Sequence, residues 1–423
     1  MQLPESLGAL AEREFRLLFA SRVISFAGSA VAPVALAFAV LEKTDDASAL
    51  GIVLAARSIP QLVFLLIGGV ISDRLPRNVV MVGANALSGA AQLVAGALVL
   101  SGSFAIWQLA ALAAFHGAAS AFFFPASQGI VPETVSAPRL QQANVLLRMG
   151  TNATTIGGPA LGGLLVVGFG AGWAIVIDGV SYLVAALILT TMRLPPRTRA
   201  AAASLLRELR EGWTEVRSRT WLWVIVLAFG FLNAAHSGAL NVLGPLVAKE
   251  ELGGAAAYGL MLAGSGVGYL LGGLLLLRWR PQRILLVACA GVMMELPLIA
   301  LLAIPAPVAV LFCAALAGGI GVEIFGIFWD MALQQNIPRE ALSRVYSYDA
   351  LGSFVLIPVG LAAAGPAAAS FGIDAALLGA VGVIAVCGVA MLLVPDVRRI
   401  RRAAVEPEQP AAVAATVHEP VVP

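Results

Sequence analysis

The sequence predicts an all-α membrane protein, with twelve transmembrane helices arranged as two parallel-repeat six-helix bundles. Three observations carry this expectation. Of the 423 residues 60% are hydrophobic and only 12% charged, about half the charge that covers a soluble domain, so lipid must solvate much of the surface. The apolar residues gather in twelve windows, each near the 20 or so residues that cross the hydrocarbon, and none alternates polar with apolar as a barrel strand does. The two sets of six windows also echo one another. Gly68-Gly69 follows window two, and Gly272-Gly273 follows window eight 204 residues later; Gln128 with Val131-Pro132 recurs 206 residues on as Gln334 with Ile337-Pro338. Parallel repeats of six helices point to a transporter with its site between the halves.

Residues 1–17 are expected to form a cytoplasmic N-terminus, since Glu5, Glu12, Arg13, Glu14 and Arg16 leave no short apolar core for a signal peptide. Residues 18–192 make the N-terminal bundle, with windows at 18–41, 50–71, 79–100, 104–131, 145–169 and 173–192. Residues 193–220 are a cytoplasmic linker in which seven arginines alternate with Glu208, Glu211 and Glu215. It reads either as a solvated tether or as a short surface helix capped by Ser204. Residues 221–394 make the C-terminal bundle, with windows at 221–247, 258–277, 284–304, 308–329, 345–364 and 373–394. Residues 395–423 form a cytoplasmic tail, and beyond Arg402 its Pro, Ala and Val predict disorder and dispensability.

Basic residues fix the expected orientation. With both ends inside, the outer loops hold only Lys43 and Lys249, while 21 of the 26 basic residues face inward. The positive-inside rule then places both termini in the cytoplasm. Those two lysines are the whole lysine content; arginine in their stead, with abundant Ala, Gly and Pro, is the mark of GC-rich codons. The expected location is therefore a bacterial inner membrane.

Ionisable groups inside the bilayer point to function, because a charge at mid-membrane costs at least ~3 kcal/mol on insertion scales. At about 1.5 Å per residue, Glu295 in window nine and His116 in window four fall near the midplane. Glu323 in window ten falls in the inner third; Arg57 and Asp178 fall in the outer third. Burial favours the neutral form of a carboxylate, so Glu295, Glu323, Asp178 and His116 are candidates for proton coupling. Structural pairing is the alternative for each. Arg57, Asn233 and His236 are candidates for the substrate cavity, whereas Arg22, Arg148, Asp330 and Asp349 lie near the inner edge and read as anchors.

Several chemistries lack their motifs. Lys43 follows Glu42 and Lys249 follows Ala248, so there is no Gly-Lys phosphate-binding loop for ATP. There is no H-E-x-x-H and no G-x-S-x-G. Cys289, Cys313 and Cys387 sit in apolar windows without metal-ligand spacing. No enzyme activity, cofactor, metal or nucleic-acid partner is expected. An ion gradient is the remaining energy source; one proton moving down ~150 mV releases roughly 3.5 kcal/mol.

The turn after window two carries Gly69-x-x-x-Asp73-Arg74-x-Pro76-Arg77, which resembles the G-x-x-x-D-R-x-G-R signature of the major facilitator superfamily, with proline at the last glycine. Gly69 permits close helix approach, and Asp73 can face a helix N-terminus or an arginine, a contact that would latch the halves on the cytoplasmic side. Leu277 stands at the Asp73 place in the second copy, so the latch should be asymmetric. Window five carries Gly158-Pro159-Ala160-Leu161-Gly162-Gly163, similar to the G-P-x-x-G-G core of antiporters in this superfamily. The resemblance implies export by antiport, while a packed kink explains the same string without any direction. In window four Ala113 and His116 stand where the family pattern has arginine and glutamine, and Ser29 in window one stands where many relatives carry an acid. The run Phe122-Phe123-Phe124-Pro125-Ala126, Trp329-Asp330 and Leu342-Ser343-Arg344-Val345 resemble the branch of macrolide and siderophore exporters. The resemblance implies proton-driven export of a lipophilic or amphipathic small molecule, a drug, macrolide or siderophore-like compound, by alternating access. Proton-coupled metabolite uptake on the same fold is one alternative; a non-transporting membrane sensor is another.

Overall fold

The structure is a computed structural model that describes residues 5–194, 213–304 and 306–402, with the side chains of residues 5–7, 65–74, 137, 141, 339, 340 and 343 outside the description. The surface-helix reading of the linker around Ser204, the disordered tail beyond Arg402, and the side chains of Asp73 and Arg74 lie outside these residues.

Among the described residues there are twelve helices long and apolar enough to cross a membrane. In the first half these are α1 (Arg13–Thr44), α2 (Ala47–Arg74), α3 (Arg77–Ser101), α4 (Ile106–Gly129), α5 (Leu140–Phe169) and α6 (Ala171–Thr190). In the second they are α7 (Thr220–Glu251), α8 (Ala255–Arg278), α9 (Ile284–Ala303), α10 (Val308–Asn336), α11 (Arg344–Phe371) and α12 (Ile373–Leu393). The chain is a multi-pass, all-helical membrane protein.

Several bounds differ from the sequence expectation, each for a physical reason. Helix α1 begins at Arg13 rather than at residue 18, because the segment before it is held. A 3-10 turn at Glu5–Ala11 packs beside α5, with the Gln142 Oε1 accepting from Ala9 N–H at 2.6 Å. The Glu12 carboxylate accepts from the Ser136 hydroxyl at 2.7 Å and the Ser136 amide at 3.0 Å. Helix α2 continues through Arg74, so Asp73 occupies its last turn and only Leu75 and Pro76 form the connection to α3. Helix α10 runs on to Asn336, past the end of its window, while Glu323 stays level with Gly272 and Gly273 in the last third of α8.

Two helices are irregular. Helix α7 carries a π segment at Gly238–Leu243, and α9 is interrupted by a 3-10 turn at Met293–Glu295, after which Pro297 opens the next α-helical stretch. Helix α11 likewise breaks at residues 355–356, before Pro358. Proline has no N–H to give to the preceding turn, which accounts for the last two interruptions.

The halves meet along two pairs, α5 against α8 and α2 against α11. Adding six to each member of the first pair returns the second, so the contact has the symmetry of the repeat. The closest approaches gather at one end of the molecule, the end of the α1–α2 and α7–α8 loops, here called the lysine face. A Cβ on Gly163 of α5 would meet the backbone of Ala255 and lie 2.9 Å from Ala256 Cα, and one on Gly259 of α8 would meet the Pro159 carbonyl. A Cβ on Gly365 of α11 would press on Ala47 and Ser48 of α2. At the same face Lys249 donates to the Leu41 carbonyl at 2.6 Å and to the Asp45 carboxylate, across the boundary between halves. The opposite end bears the first and last described residues and most of the described arginines, and is called the arginine face.

Candidate functional site

A cavity of about 170 Å³ lies between the halves. Thr155 and Pro159 of α5 form one wall; His236, Ser265, Tyr269 and Glu295 carry the polar groups of the other. A second compartment of about 100 Å³ shares His236, Tyr269 and Glu295 and is closed by Phe229, Asn233 and Phe325. The two together are one apolar and aromatic space with a few convergent polar groups, the usual character of a small-molecule site.

Local backbone explains how the polar groups reach it. His236 lies near the middle of α7, two residues before the π segment, and π segments are frequent at functional sites because they turn a side chain out of the regular helical register. Glu295 ends the 3-10 turn of α9. Facing it, Gly318 of α10 would place a Cβ 3.3 Å from Glu295 Cα, so a larger residue would crowd the acid. Glu295 is 5% exposed, and His236 Nδ1 lies 2.7 Å from its Oε1. That is ion-pair distance for a protonated imidazole, although the angle is not that of a well-formed hydrogen bond. Asn233 is anchored by donating to the Ser353 carbonyl of α11 at 3.0 Å. Phe229 and Phe325 stack at 4.1 Å between centroids, and Phe325 stacks in turn on Trp329 at 5.8 Å. Offset aromatic pairs of this kind make a rigid, low-entropy wall.

The remaining candidates form a separate cluster inside the first half. Asp178 of α6, 1% exposed, accepts from Gln92 Nε2 of α3 at 2.5 Å and lies 3.4 Å from the Ser29 hydroxyl of α1. Ser29 is also 2.8 Å from the Tyr182 hydroxyl, and the His116 ring of α4 meets the Tyr182 ring edge-on at 5.5 Å. Arg57, Gln92 and His116 line a space of about 10 Å³, too small for a substrate. The His116 nitrogens lie near the Ser88 backbone without making a well-formed hydrogen bond. The structure thus brings Glu295, His236 and Asn233 together at the cavity, and sets Arg57, His116 and Asp178 apart from it. Glu323 stands beside Gly273 of α8, its Oε1 3.7 Å from where a Cβ there would lie, within electrostatic reach of Arg148 on α5.

Gln92, Tyr182, Tyr269 and Thr155 escaped the sequence reading, which met Ser29 only as a departure from the acid of many relatives. All four are uncharged and lie in apolar windows, and only their helix neighbours mark them; Gln92 alone carried a legible signal, as the one amide in window three besides Asn85.

The two motifs also resolve into contacts. Gly158 and Gly162 of α5 lie against Ala30 and Val31 of α1, while Pro159 and Gly163 lie against α8. The string is a two-sided packing surface that lets α5 sit between its own half and the other. Arg77 donates to the Gly129 carbonyl and, at 2.9 Å, to the Glu133 carboxylate, tying α3 to the end of α4 within one half. At the arginine-face ends of α10 and α11, Trp329 Nε1 donates to Asp349 at 2.8 Å and the Tyr346 hydroxyl to Asp330 at 3.0 Å, which are anchoring roles.

The family described as "Transmembrane secretion effector" matches residues 5–421. Macrolide efflux protein A of Streptococcus pyogenes is 25% identical over 356 residues, 82% of this chain and 87% of that protein. The enterobactin exporter EntS of Citrobacter koseri is 24% identical over 400 residues, 92% and 93% of the two chains. Among solved structures the nucleoside transporter NupG superposes with a TM-score of 0.71 at 14% identity, over 90% of this chain and 98% of that one, a likeness of fold.

Proposed function

The chain belongs to the transmembrane secretion effector family of the major facilitator superfamily, and on that premise we propose that it exports a lipophilic or amphipathic small molecule in exchange for protons. The observation that supports this most is the buried Glu295 carboxylate 2.7 Å from His236 on the wall of the cavity between the halves. A proton entering from the lysine face lands on this pair and neutralises Glu295, which releases its hold on His236. When the cavity turns to the arginine face, substrate enters against Phe229 and Phe325 and the proton leaves to that side. The site is reached from either face in turn, as alternating access requires. The basic bias of the loops supports termini in the cytoplasm of a bacterial inner membrane. Asp73, in the last turn of α2, is the proposed latch of the arginine face, and the gradient rather than ATP is the proposed drive.

The test is flux in proteoliposomes. Glu295→Gln, which mimics the protonated acid, should retain substrate binding and lose proton-dependent accumulation. If the variant still concentrates substrate and responds as wild type to collapse of the pH gradient, Glu295 is structural and this reading fails.

A further inference from the structure

At the arginine face, away from the cavity and from the contact between halves, a pocket of about 360 Å³ is lined by Arg283, Arg398, Arg399 and Arg401 with Pro395. Arg283 comes from the start of α9 and the other three from the short helix Pro395–Arg399 and the residues after it. The two segments are fastened together, for Arg402 N–H donates to the Gln282 carbonyl at 2.9 Å. Arg398 is further oriented by donating from Nε to the Leu392 carbonyl at 2.6 Å. Among the described residues none of the four arginines has a carboxylate within ion-pair distance, although Asp396 lies two residues before Arg398 and three before Arg399. Four guanidiniums converging without an acid repel one another; the segments that carry them are fastened by the Arg402–Gln282 backbone bond, and the Arg398 side chain by the Leu392 carbonyl.

We propose that this pocket binds the phosphate headgroup of an anionic phospholipid. Guanidinium forks match phosphate oxygens two at a time, and basic pockets between helix ends at the cytoplasmic side of a membrane take such headgroups. The surroundings favour a lipid over a soluble phosphate. Leu393, at the end of α12, is 62% exposed, and Leu277, at the end of α8, is 69% exposed. Trp279, in the loop that leads to Arg283, is 42% exposed, where an indole marks the level of the headgroups. A phosphate in the pocket therefore places its acyl chains along exposed apolar helix ends. The proposal is independent of what the protein transports.

The full chain, purified and stripped of lipid, is to be exchanged into nanodiscs or mixed micelles that contain phosphatidylglycerol and phosphatidylcholine, and the retained lipid counted by native mass spectrometry. Wild type should retain phosphatidylglycerol selectively. Arg283→Gln combined with Arg399→Gln should lower that retention roughly 25-fold, at about fivefold for each basic residue near the surface, while Arg283→Lys with Arg399→Lys should keep most of it. Circular dichroism and gel filtration show whether each variant is folded, and the lysine pair supplies the reading if the glutamine pair is not. Equal retention by wild type and a folded glutamine variant overturns the proposal. So does displacement of the lipid by millimolar inorganic phosphate, which would make the ligand a soluble anion. Binding seen only after removal of residues beyond Arg402 would assign the pocket to Glu406 and Glu408 of the chain's own tail, and overturns it as well.

Discussion

Lys249 is the side chain whose removal should most directly unbalance the two facing states. It reaches from α7 to the end of α1, where its ammonium donates to the Leu41 carbonyl at 2.6 Å and to Asp45. The two contacts differ in worth. The Asp45 side chain is 79% exposed, so that pair is screened and contributes at most about 0.5 kcal/mol. The bond to the carbonyl is charge-assisted and made by a lysine only 27% exposed; bonds to charged groups contribute about 1.5–3 kcal/mol, and partial exposure brings this to about 1–1.5 kcal/mol. Lys249→Ala should therefore shift the equilibrium toward an open lysine face by about 1–2 kcal/mol, a factor of roughly 5–30. Asp45→Asn should shift it less than about threefold. Spin labels at positions 42 and 250, both exposed, in a background lacking Cys289, Cys313 and Cys387 would report the distance across this face. An unchanged distance distribution for Lys249→Ala, or an equal effect from Asp45→Asn, would refute the assignment of the hold to the carbonyl bond.

Asp73→Asn should slow substrate flux in proteoliposomes while leaving equilibrium substrate binding intact, since it acts on the conformational balance; wild-type flux would remove its gating role. Gly163→Val or Gly259→Val should also populate the open lysine face in the same spin-label experiment, because a side chain at either place meets the opposing helix backbone, whereas Gly168→Val, which meets nothing within 4 Å, should not. Asp178→Ala should destabilise the protein by about 1–3 kcal/mol, as the half-buried Gln92 amide loses its acceptor, read as a lower melting midpoint; Asp178→Asn should retain the pH response of flux. Truncation after Arg402 should leave activity in membranes unchanged, and loss of it in a correctly inserted chain would assign the tail a role.

The sequence made the helices legible because lipid imposes a single rule on each of them, a run of about 20 apolar residues. Each of the twelve windows falls on one observed helix, and the windows at 104–131, 173–192, 284–304 and 373–394 overrun its end by one or two residues. It made legible the two-fold repeat as well, and the α5–α8 and α2–α11 contacts follow from it. What escaped was whatever depends on two helices at once. Glu295 stood out as an acid in an apolar window, and His236 as a histidine in another, but nothing in either window says that they meet at 2.7 Å. Arg57, placed by depth alone among cavity candidates, turns toward α4 and His116 instead, because rotation about the helix axis is set by packing and not by hydropathy. The start of α1 was missed for the opposite reason. Its first turn is polar, and its helix is held by Glu12 and Gln142 contacts rather than by lipid.

The two halves share one architecture and divide its chemistry unequally. In the first half, Ser29, Gln92, His116, Asp178 and Tyr182 join α1, α3, α4 and α6, and the space that Gln92 and His116 line is only about 10 Å³. The bonds among Ser29, Gln92, Asp178 and Tyr182 tie α1, α3 and α6 together, and a satisfied polar network rigidifies the helices it joins, so on the proposed mechanism this bundle moves as a body. In the second half, the polar pair sits where two helices depart from α geometry, at the π segment of α7 and the 3-10 turn of α9 before Pro297. Those segments lack the uniform hydrogen-bond ladder that keeps a helix stiff, and they adjoin the cavity. A change of charge at Glu295 and His236 therefore acts where two helices depart from α geometry and resist bending less. On the proposed mechanism this is what lets a single proton move the α7 and α9 wall against a first half that stays rigid. Alternating access in a two-domain transporter is largely rigid-body movement of one bundle against the other, and it needs one stiff partner and one that responds.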